Sequence, residues 1–134
     1  MNTKVVAKVV ILNEKGEVLL LKRSEDDSNR PGDWDFPGGE IEADEYIEVG
    51  VKRETSEEAG LAIDSLRLVS AATEKYETNS VTRLLFMSKV PDQQVVLSLE
   101  HSEYKWLDID TALIEFNHKF WSASLRYARD NELL

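Results

Sequence analysis

Residues 37–61 read PGGEIEADEYIEVGVKRETSEEAGL, and this stretch carries most of the information about fold and chemistry. Asp44 is a candidate helix N-cap, and Glu45 suits the positive end of the helix dipole. Gly60 stands where a left-handed C-terminal residue belongs. The sequence therefore predicts a helix from Asp44 to Ala59.

One stripe of this predicted helix changes character along its length. At about 100° per residue, Ile47 and Val51 lie close together in the first half. The same stripe continues as Glu54, Glu57 and Glu58 in the second half. Three carboxylates on one face repel one another, and burying them costs more unless a cation lies between them. Mg²⁺ or Mn²⁺, which prefer carboxylate oxygens, would remove that repulsion.

The alternative interpretation is an acidic helix end in solvent, which is the more common role of an acidic run. Two features favour a site: the inward continuation of the apolar stripe, and the neighbouring turn at Pro37-Gly38-Gly39. Consecutive glycines let backbone groups approach a ligand closely, although an ordinary tight turn has the same composition. Arg53 is placed to pair with Glu57 at i+4 and orient it.

The rest of the chain predicts strands and one further helix. Aliphatic and β-branched runs indicate strands at Val5–Leu12, Val18–Leu21, Leu66–Ala72, Val81–Val90 and Val95–Leu99. Residues 34–36 form a short extended piece. The tail from Asn117 to Asp130 has an apolar stripe at helical spacing. Without a linker or repeat, this pattern predicts a single domain, residues 1–134, of the α+β or α/β sandwich class.

Composition limits the possible functions. The 134 residues include 26 acidic and 16 basic side chains, a net charge of −10, and no cysteine. Disulfides, thiolate metal sites and cysteine nucleophiles are therefore excluded. An acidic surface disfavours duplex nucleic acid as a partner, but metal ions can supply positive charge locally for phosphates. The N-terminal apolar stretch is broken by Lys8, so no signal peptide or membrane span is predicted, and a cytoplasmic location is expected.

The stretch resembles the signature of a known family. The spacing Gly39-x5-Glu45-x7-Arg53-Glu54-Thr55-x-Glu57-Glu58-x-Gly60-Leu61 is similar to the 23-residue Nudix box of MutT-like pyrophosphohydrolases. Thr55 is the one departure, because that position usually holds a bulky aliphatic residue. Gly32-x-Trp34 before Phe36-Pro37-Gly38-Gly39 resembles the family's lead-in, and Glu100-His101 before Trp106 resembles its late acidic position. Family-like features thus span residues 5 to 110.

The resemblance implies a Nudix-type α/β/α sandwich with a mixed sheet and a Mg²⁺-dependent hydrolase, with Mn²⁺ as a substitute. The implied reaction cleaves a nucleoside diphosphate linked to another group. The implied metal ligands are Glu57 and Glu58, with Glu54, the Gly38 carbonyl and Glu100 as further ligands. Glu54 or Glu100 is the implied general base. Glu45 and Arg53 are implied supporting residues, so the catalytic set is Glu45, Arg53, Glu54 and Glu57.

Substrate choice lies outside the box. Arg23 is a candidate phosphate contact or a solvated strand end. Trp34 and Tyr76 are candidates for stacking on a base, although a rim or core role is favoured for both. His101 and His118 are assigned structural roles. Nucleoside triphosphates, nucleotide sugars, dinucleoside polyphosphates and RNA 5′ ends all stay open as nucleotide-type substrates.

Two other functions compete with hydrolysis. The first is a catalytically silent nucleotide-binding module with this fold, which the intact Glu54, Glu57 and Glu58 argue against. The second is a Nudix-like isomerase of prenyl diphosphates, whose chemistry is associated with a cysteine that this chain lacks. A homodimer is also expected, because the aromatic residues of the tail suit an interface as well as a core. Those residues are Phe120, Trp121 and Tyr127.

Overall fold

The computed structural model describes residues 2–134. Its strands are β1 (Asn2–Leu12), β2 (Val18–Arg23), β3 (Trp34–Asp35), β4 (Gly38–Glu40), β5 (Arg67–Lys75), β6 (Asn79–Lys89) and β7 (His101–Leu107). Its helices are α1 (Ile47–Ala59), α2 (Ile109–Glu115) and α3 (Lys119–Asp130). None of the helices described in this range is long and apolar enough to cross a membrane.

The strands form one mixed sheet in the order β3-β2-β1-β6-β5, with β4 beside β1 and β7 beside β2. β1 and β6 run parallel along their whole length, and the other pairs are antiparallel. A parallel pair at the centre of a sheet is normally covered on both faces. The sheet therefore needs a layer of helix on each side.

Both faces of β1 are buried from Ala7 to Leu12, as its near-continuous apolar sequence predicts. Val9 and Ile11 pack in one core with Val51 of α1. Val10 and Leu12 pack in a second core with residues of α2 and α3, including Trp121. The result is an α/β/α sandwich, which confirms the predicted fold class. Trp121 is buried in this core, and Phe120 is partly buried against it. Of the three aromatic residues predicted for an interface, Tyr127 is the exposed one.

Helix α1 begins later than predicted. Its N-cap is Tyr46, so the prediction of Asp44 as N-cap was wrong. The reason is local: Glu45 Oε1 accepts the Glu42 N–H at 2.9 Å, and the Glu45 N–H donates to the Glu42 carbonyl. These hydrogen bonds hold Glu45 in a turn with Glu42, so Glu45 lies before the start of the helix. The C-terminal prediction is confirmed, because Gly60 is left-handed with φ 68°.

The predicted strand at Val95–Leu99 was also wrong. Residues 90–98 are irregular, and their backbone bonds to the end of α1: Val96 N–H donates to the Ala59 carbonyl and Ser98 N–H to the Glu58 carbonyl. Val95 is buried in the core, which explains why the run is apolar. The segment fixes the acidic end of α1 in place. The last strand is β7, a more exposed element that pairs with β2 and that apolar patterning missed.

Candidate active site

A cleft of about 580 Å³ lies where α1, the glycine pair and the loop before β7 meet. Two groups of charged residues line it. The acidic group consists of Glu54, Glu58 and Glu100. The cation cluster consists of Lys8, Arg23 and Arg30. A cleft with carboxylates and cations side by side suits a ligand that combines divalent metal with phosphate.

Glu58 is the most constrained member of the acidic group. It is buried on α1, with 5% of its surface exposed, and its Oε1 accepts the Gly38 N–H at 3.2 Å. Burial raises the pKa of Glu58 to about 9, and the neighbouring Glu54 carboxylate adds to the rise against the opposing charge of Lys8. A divalent cation between two such carboxylates would offset their repulsion, and carboxylate oxygens are ligands that such cations prefer.

The glycine pair is required by close backbone approach. Gly38 has φ 126°, and a Cβ there would lie 2.3 Å from the Ala7 carbonyl oxygen and 2.6 Å from Lys8 Cα. A Cβ at Gly39 would lie 3.2 Å from the Glu54 carboxylate. The predicted Pro37-Gly38-Gly39 turn was wrong in form, because Gly38 and Gly39 belong to β4 and pair with β1. The close packing of Gly39 against the Glu54 carboxylate is what the glycine permits here.

Arg53 holds the carboxylates around α1 together. It makes a two-pronged pair with Glu45, with Nη2 to Oε1 at 2.8 Å and Nε to Oε2 at 3.1 Å. Its Nη1 also lies 3.2 Å from both Glu54 and Glu57. The Arg53 hydrogen bonds, with the Glu42 N–H, lower the pKa of Glu45 to about 2. The predicted pairing of Arg53 with Glu57 is confirmed.

Glu57 stands apart from the other predicted metal ligands. Its side chain is 60% exposed, bonds to Arg53 and does not line the cleft. The structure thus brings Gly38, Glu54, Glu58 and Glu100 to one cleft and leaves Glu57 at its rim. Among residues 2–134, no three Asp, Glu or His side chains already converge as a metal site. The Glu57 carboxylate would have to turn away from Arg53 to join one.

The cation cluster is built on Asp35, a residue that sequence analysis missed. Asp35 is fully buried, and its Oδ2 lies 3.1 Å from Lys8, 3.3 Å from Arg23 and 2.8 Å from Arg30. Burial alone would raise the pKa of Asp35, but the three cations hold it below its usual range. Lys8 was read only as an interruption of an apolar run. A lone lysine in a strand buried on both faces was the available signal, since such a charge needs a buried partner.

His101 also lines the cleft, which its predicted structural role did not include. It lies opposite Arg23 in the β2–β7 pairing, and its Nδ1 is buried without a hydrogen-bond partner. Burial, and then the charge of Lys8, lower the pKa of His101 to about 4, so the ring is neutral at pH 7. The structural role predicted for His118 is confirmed, because its Nδ1 accepts the Phe120 N–H and caps α3.

The three predicted substrate residues lie in different places. Arg23 lines the cleft and pairs with Asp27 at 2.6 Å. Trp34 packs against the core, with the Lys105 ammonium 4.3 Å from its ring centre. Tyr76 lines a separate pocket of about 450 Å³ that also contains Arg83. Only Arg23 shares the cleft with the acidic group.

A mixed-sheet sandwich with a helix that ends in neighbouring glutamates beside an open cleft is the arrangement of the Nudix fold. Comparison with known families agrees: the NUDIX domain model matches residues 2–127. The chain therefore belongs to the Nudix hydrolase family, as its sequence signature predicts. Enzymes of this family act on phosphoric anhydride bonds and generally use divalent metals.

The individual proteins that resemble this chain share about a third of its residues or fewer over the aligned regions. The chain is 32% identical over 101 residues to a MutT-like protein of Streptomyces ambofaciens, covering 75% of this chain and 61% of that protein. It is 27% identical over 108 residues to nucleoside triphosphatase NudI of Escherichia coli, covering 72% and 77% respectively. The crystal structure of MutT protein from Methanosarcina mazei Go1 matches with a TM-score of 0.85 and 31% identity, over 97% of this chain and 96% of that one.

Proposed function

We propose that this protein is a Mg²⁺-dependent pyrophosphohydrolase that cleaves the diphosphate linkage of a nucleoside diphosphate linked to another group, such as a nucleoside triphosphate or nucleotide sugar. The observation that carries the proposal is the buried Glu58 carboxylate crowded by Glu54 at the base of the cleft. Burial of neighbouring carboxylates is costly, and a divalent cation offsets that cost.

Glu54, Glu58 and the Gly38 carbonyl would hold the metal, with Glu100 from the loop before β7 as a further ligand. Glu57 would join after turning from Arg53. Mn²⁺ would substitute for Mg²⁺, because both prefer carboxylate oxygens. The metal supplies two things when bound: neutralisation of phosphate charge and a lower pKa for bound water.

The chain's own residues position the reactants. Glu54, or Glu100 in its place, accepts the proton of the attacking water as the new oxygen–phosphorus bond forms and the bridging bond breaks. Arg53 and Glu45 keep the Glu54 carboxylate oriented through the contacts described above. Arg23 contacts a phosphate oxygen of the substrate. Positioning and electrostatics of this kind provide most of the acceleration in such reactions.

The substrate assignment extends to the nucleoside. Similarity to the nucleoside triphosphatase of Escherichia coli supports nucleoside triphosphates as substrates. Of the two predicted base-stacking residues, Tyr76 is the exposed ring, and it lines a pocket with Arg83 that is separate from the cleft. Trp34, already covered by Lys105 and the core, is the weaker candidate. A single domain over residues 1–134, a cytoplasmic location, a homodimer and the absence of a duplex nucleic acid partner stay predictions.

A substrate panel tests the proposal. Release of pyrophosphate or phosphate is measured from nucleoside triphosphates, nucleotide sugars and dinucleoside polyphosphates in Mg²⁺, in Mn²⁺ and in chelator. We expect hydrolysis of at least one class in either metal and none in chelator. Full turnover in chelator would contradict the mechanism. Tight nucleotide binding without hydrolysis of any member would identify a silent binding module instead.

A further inference from the structure

Leu99 is an exposed apolar side chain in a cleft that charged and polar groups mainly line. Of the described residues that line the cleft, only Val6 and Leu99 carry apolar side chains. Val6 is partly buried against the core, whereas Leu99 is 98% exposed at the mouth of the cleft. Single exposed leucines are common on protein surfaces, so the exposure of Leu99 alone indicates little. Its fixed position beside the acidic group is what distinguishes it.

The backbone on both sides of Leu99 is held to the walls of the cleft. The Ser98 N–H donates to the Glu58 carbonyl of α1 at 3.2 Å, and the Ser24 N–H, just after β2, donates to the Glu100 carbonyl at 2.9 Å. Within the turn, the Ser98 Oγ accepts the Glu100 N–H at 3.3 Å. These hydrogen bonds position Leu99 before a ligand binds, so a contact through its side chain costs little further backbone entropy.

A nucleotide has two parts with different chemistry, and the cleft offers groups for each. The phosphate chain is charged and suits a metal at the acidic group. The faces of a nucleobase are largely apolar, and proteins commonly cover them with aromatic or apolar side chains. Leu99 is next in sequence to Glu100, a member of the acidic group. A phosphate chain held at the acidic group would therefore bring its attached nucleoside to the mouth of the cleft, where Leu99 lies.

We propose that Leu99 is a specificity-determining residue that packs against the nucleobase of the substrate at the mouth of the cleft. The contact removes apolar surface of both groups from water. The protein consequently binds nucleoside triphosphates more tightly than an inorganic polyphosphate with the same number of phosphates. This inference rests on the proposed function for the position of the phosphate chain.

Calorimetry with Ca²⁺ as an oxygen-binding metal tests the contact by comparing ATP, GTP, CTP and UTP with inorganic tripolyphosphate. We expect the wild type to bind at least one nucleotide more tightly than tripolyphosphate. Leu99→Ser should weaken the tightest nucleotide about five- to tenfold, the scale of a half-covered leucine, and change tripolyphosphate affinity by less than about twofold. Leu99→Met keeps an apolar side chain and should retain most of the nucleotide affinity. Both variants should fold, because the side chain is exposed and neighbouring residues hold the turn.

Two further variants make the result specific. Ile114→Ser removes an apolar side chain that is 82% exposed on α2 and does not line the cleft, so all affinities should stay unchanged. Tyr76→Ser tests the separate pocket, and a nucleotide preference lost there but kept in Leu99→Ser would overturn the contact. Equal losses of nucleotide and tripolyphosphate affinity in Leu99→Ser would also overturn it, because they would indicate a disturbed turn. Equal affinity for nucleotides and tripolyphosphate in the wild type would have the same meaning for the proposal.

Hydrolysis measured alongside separates the two proposals. A nucleotide preference that depends on Leu99, in a protein that hydrolyses no nucleotide, would leave the contact standing and overturn the proposed function. Metal-dependent nucleotide hydrolysis with wild-type KM and nucleotide affinity in Leu99→Ser would overturn the contact alone.

Discussion

Glu58→Gln is expected to lower kcat by about two to three orders of magnitude, the scale of a lost preorganised electrostatic contact. Glutamine keeps the size of the side chain and an oxygen for the Gly38 N–H, so the fold should survive. It cannot supply the negative charge that a metal requires. Steady-state kinetics at saturating Mg²⁺ measure the loss, and Glu48→Gln on the exposed first turn of α1 is the matched control.

The same variant should change the protons released on metal binding. Because the pKa of Glu58 is about 9 in the metal-free protein, its carboxyl holds a proton at pH 7.5. Metal binding must displace it, so calorimetry in buffers of different ionisation enthalpy should detect up to about one proton per site. That release should disappear in Glu58→Gln and persist in Glu48→Gln. Wild-type binding without proton release would show that Glu58 is ionised before the metal binds or is not a ligand.

The raised pKa of Glu58 also makes the stability of the metal-free protein depend on pH. The folded pKa of Glu58 lies above its usual value of 4.5, so the folded state holds the proton more tightly than the unfolded state. The contribution of Glu58 to the free energy of unfolding is fully present below about pH 4.5 and is lost as the pH rises through about 9. Metal-free wild type should therefore lose stability over this range relative to Glu58→Gln.

Comparison of Glu54→Gln with Glu100→Gln is expected to give the second large effect. Wild-type rates should climb from pH 7 towards about 9, because hydrolysis requires the attacking water to lose a proton to the general base. Glu54 lies against Gly39 and Glu58, so we expect Glu54→Gln to lower kcat by about two orders of magnitude or more and to flatten this slope. Glu100 is exposed at the cleft, and Glu100→Gln should keep the slope but need more Mg²⁺.

Full pH–rate profiles at several Mg²⁺ concentrations separate these outcomes. A slope lost in Glu100→Gln and kept in Glu54→Gln would move the general base to the loop before β7. Equal metal requirements in both variants and the wild type would remove both residues from the metal site.

Local sequence patterns predicted the parts of the fold that depend on local physics. The continuous apolar run of β1 indicated burial on both faces, and Gly60 indicated the end of α1. The run at Val95–Leu99 misled because its burial comes from packing on the end of α1, not from strand pairing. The sequence did not predict strand β7, because pairing with β2, rather than an apolar face, makes it a strand.

The candidate site also has one part that local sequence predicts and another part that it does not. The acidic stripe of α1 was visible because one helix places Glu54 and Glu58 together. The cation cluster was not visible, because Lys8 of β1 and Asp35 of β3 are 27 residues apart and meet only in the folded sheet, where β2 lies between their strands. The outward turn of Glu57 towards Arg53 likewise depends on side-chain contacts that helical spacing permits but does not select.

The proposed function requires a divalent cation to bind between Glu54 and Glu58. Anomalous diffraction from crystals grown with Mn²⁺ tests it most directly, since the signal locates the metal itself. We expect a peak about 2 Å from carboxylate oxygens of both residues, a usual distance for such cations, and no such peak in Glu58→Gln crystals. A peak elsewhere, or an empty cleft in crystals of a protein that hydrolyses nucleotides with Mn²⁺, would contradict the account.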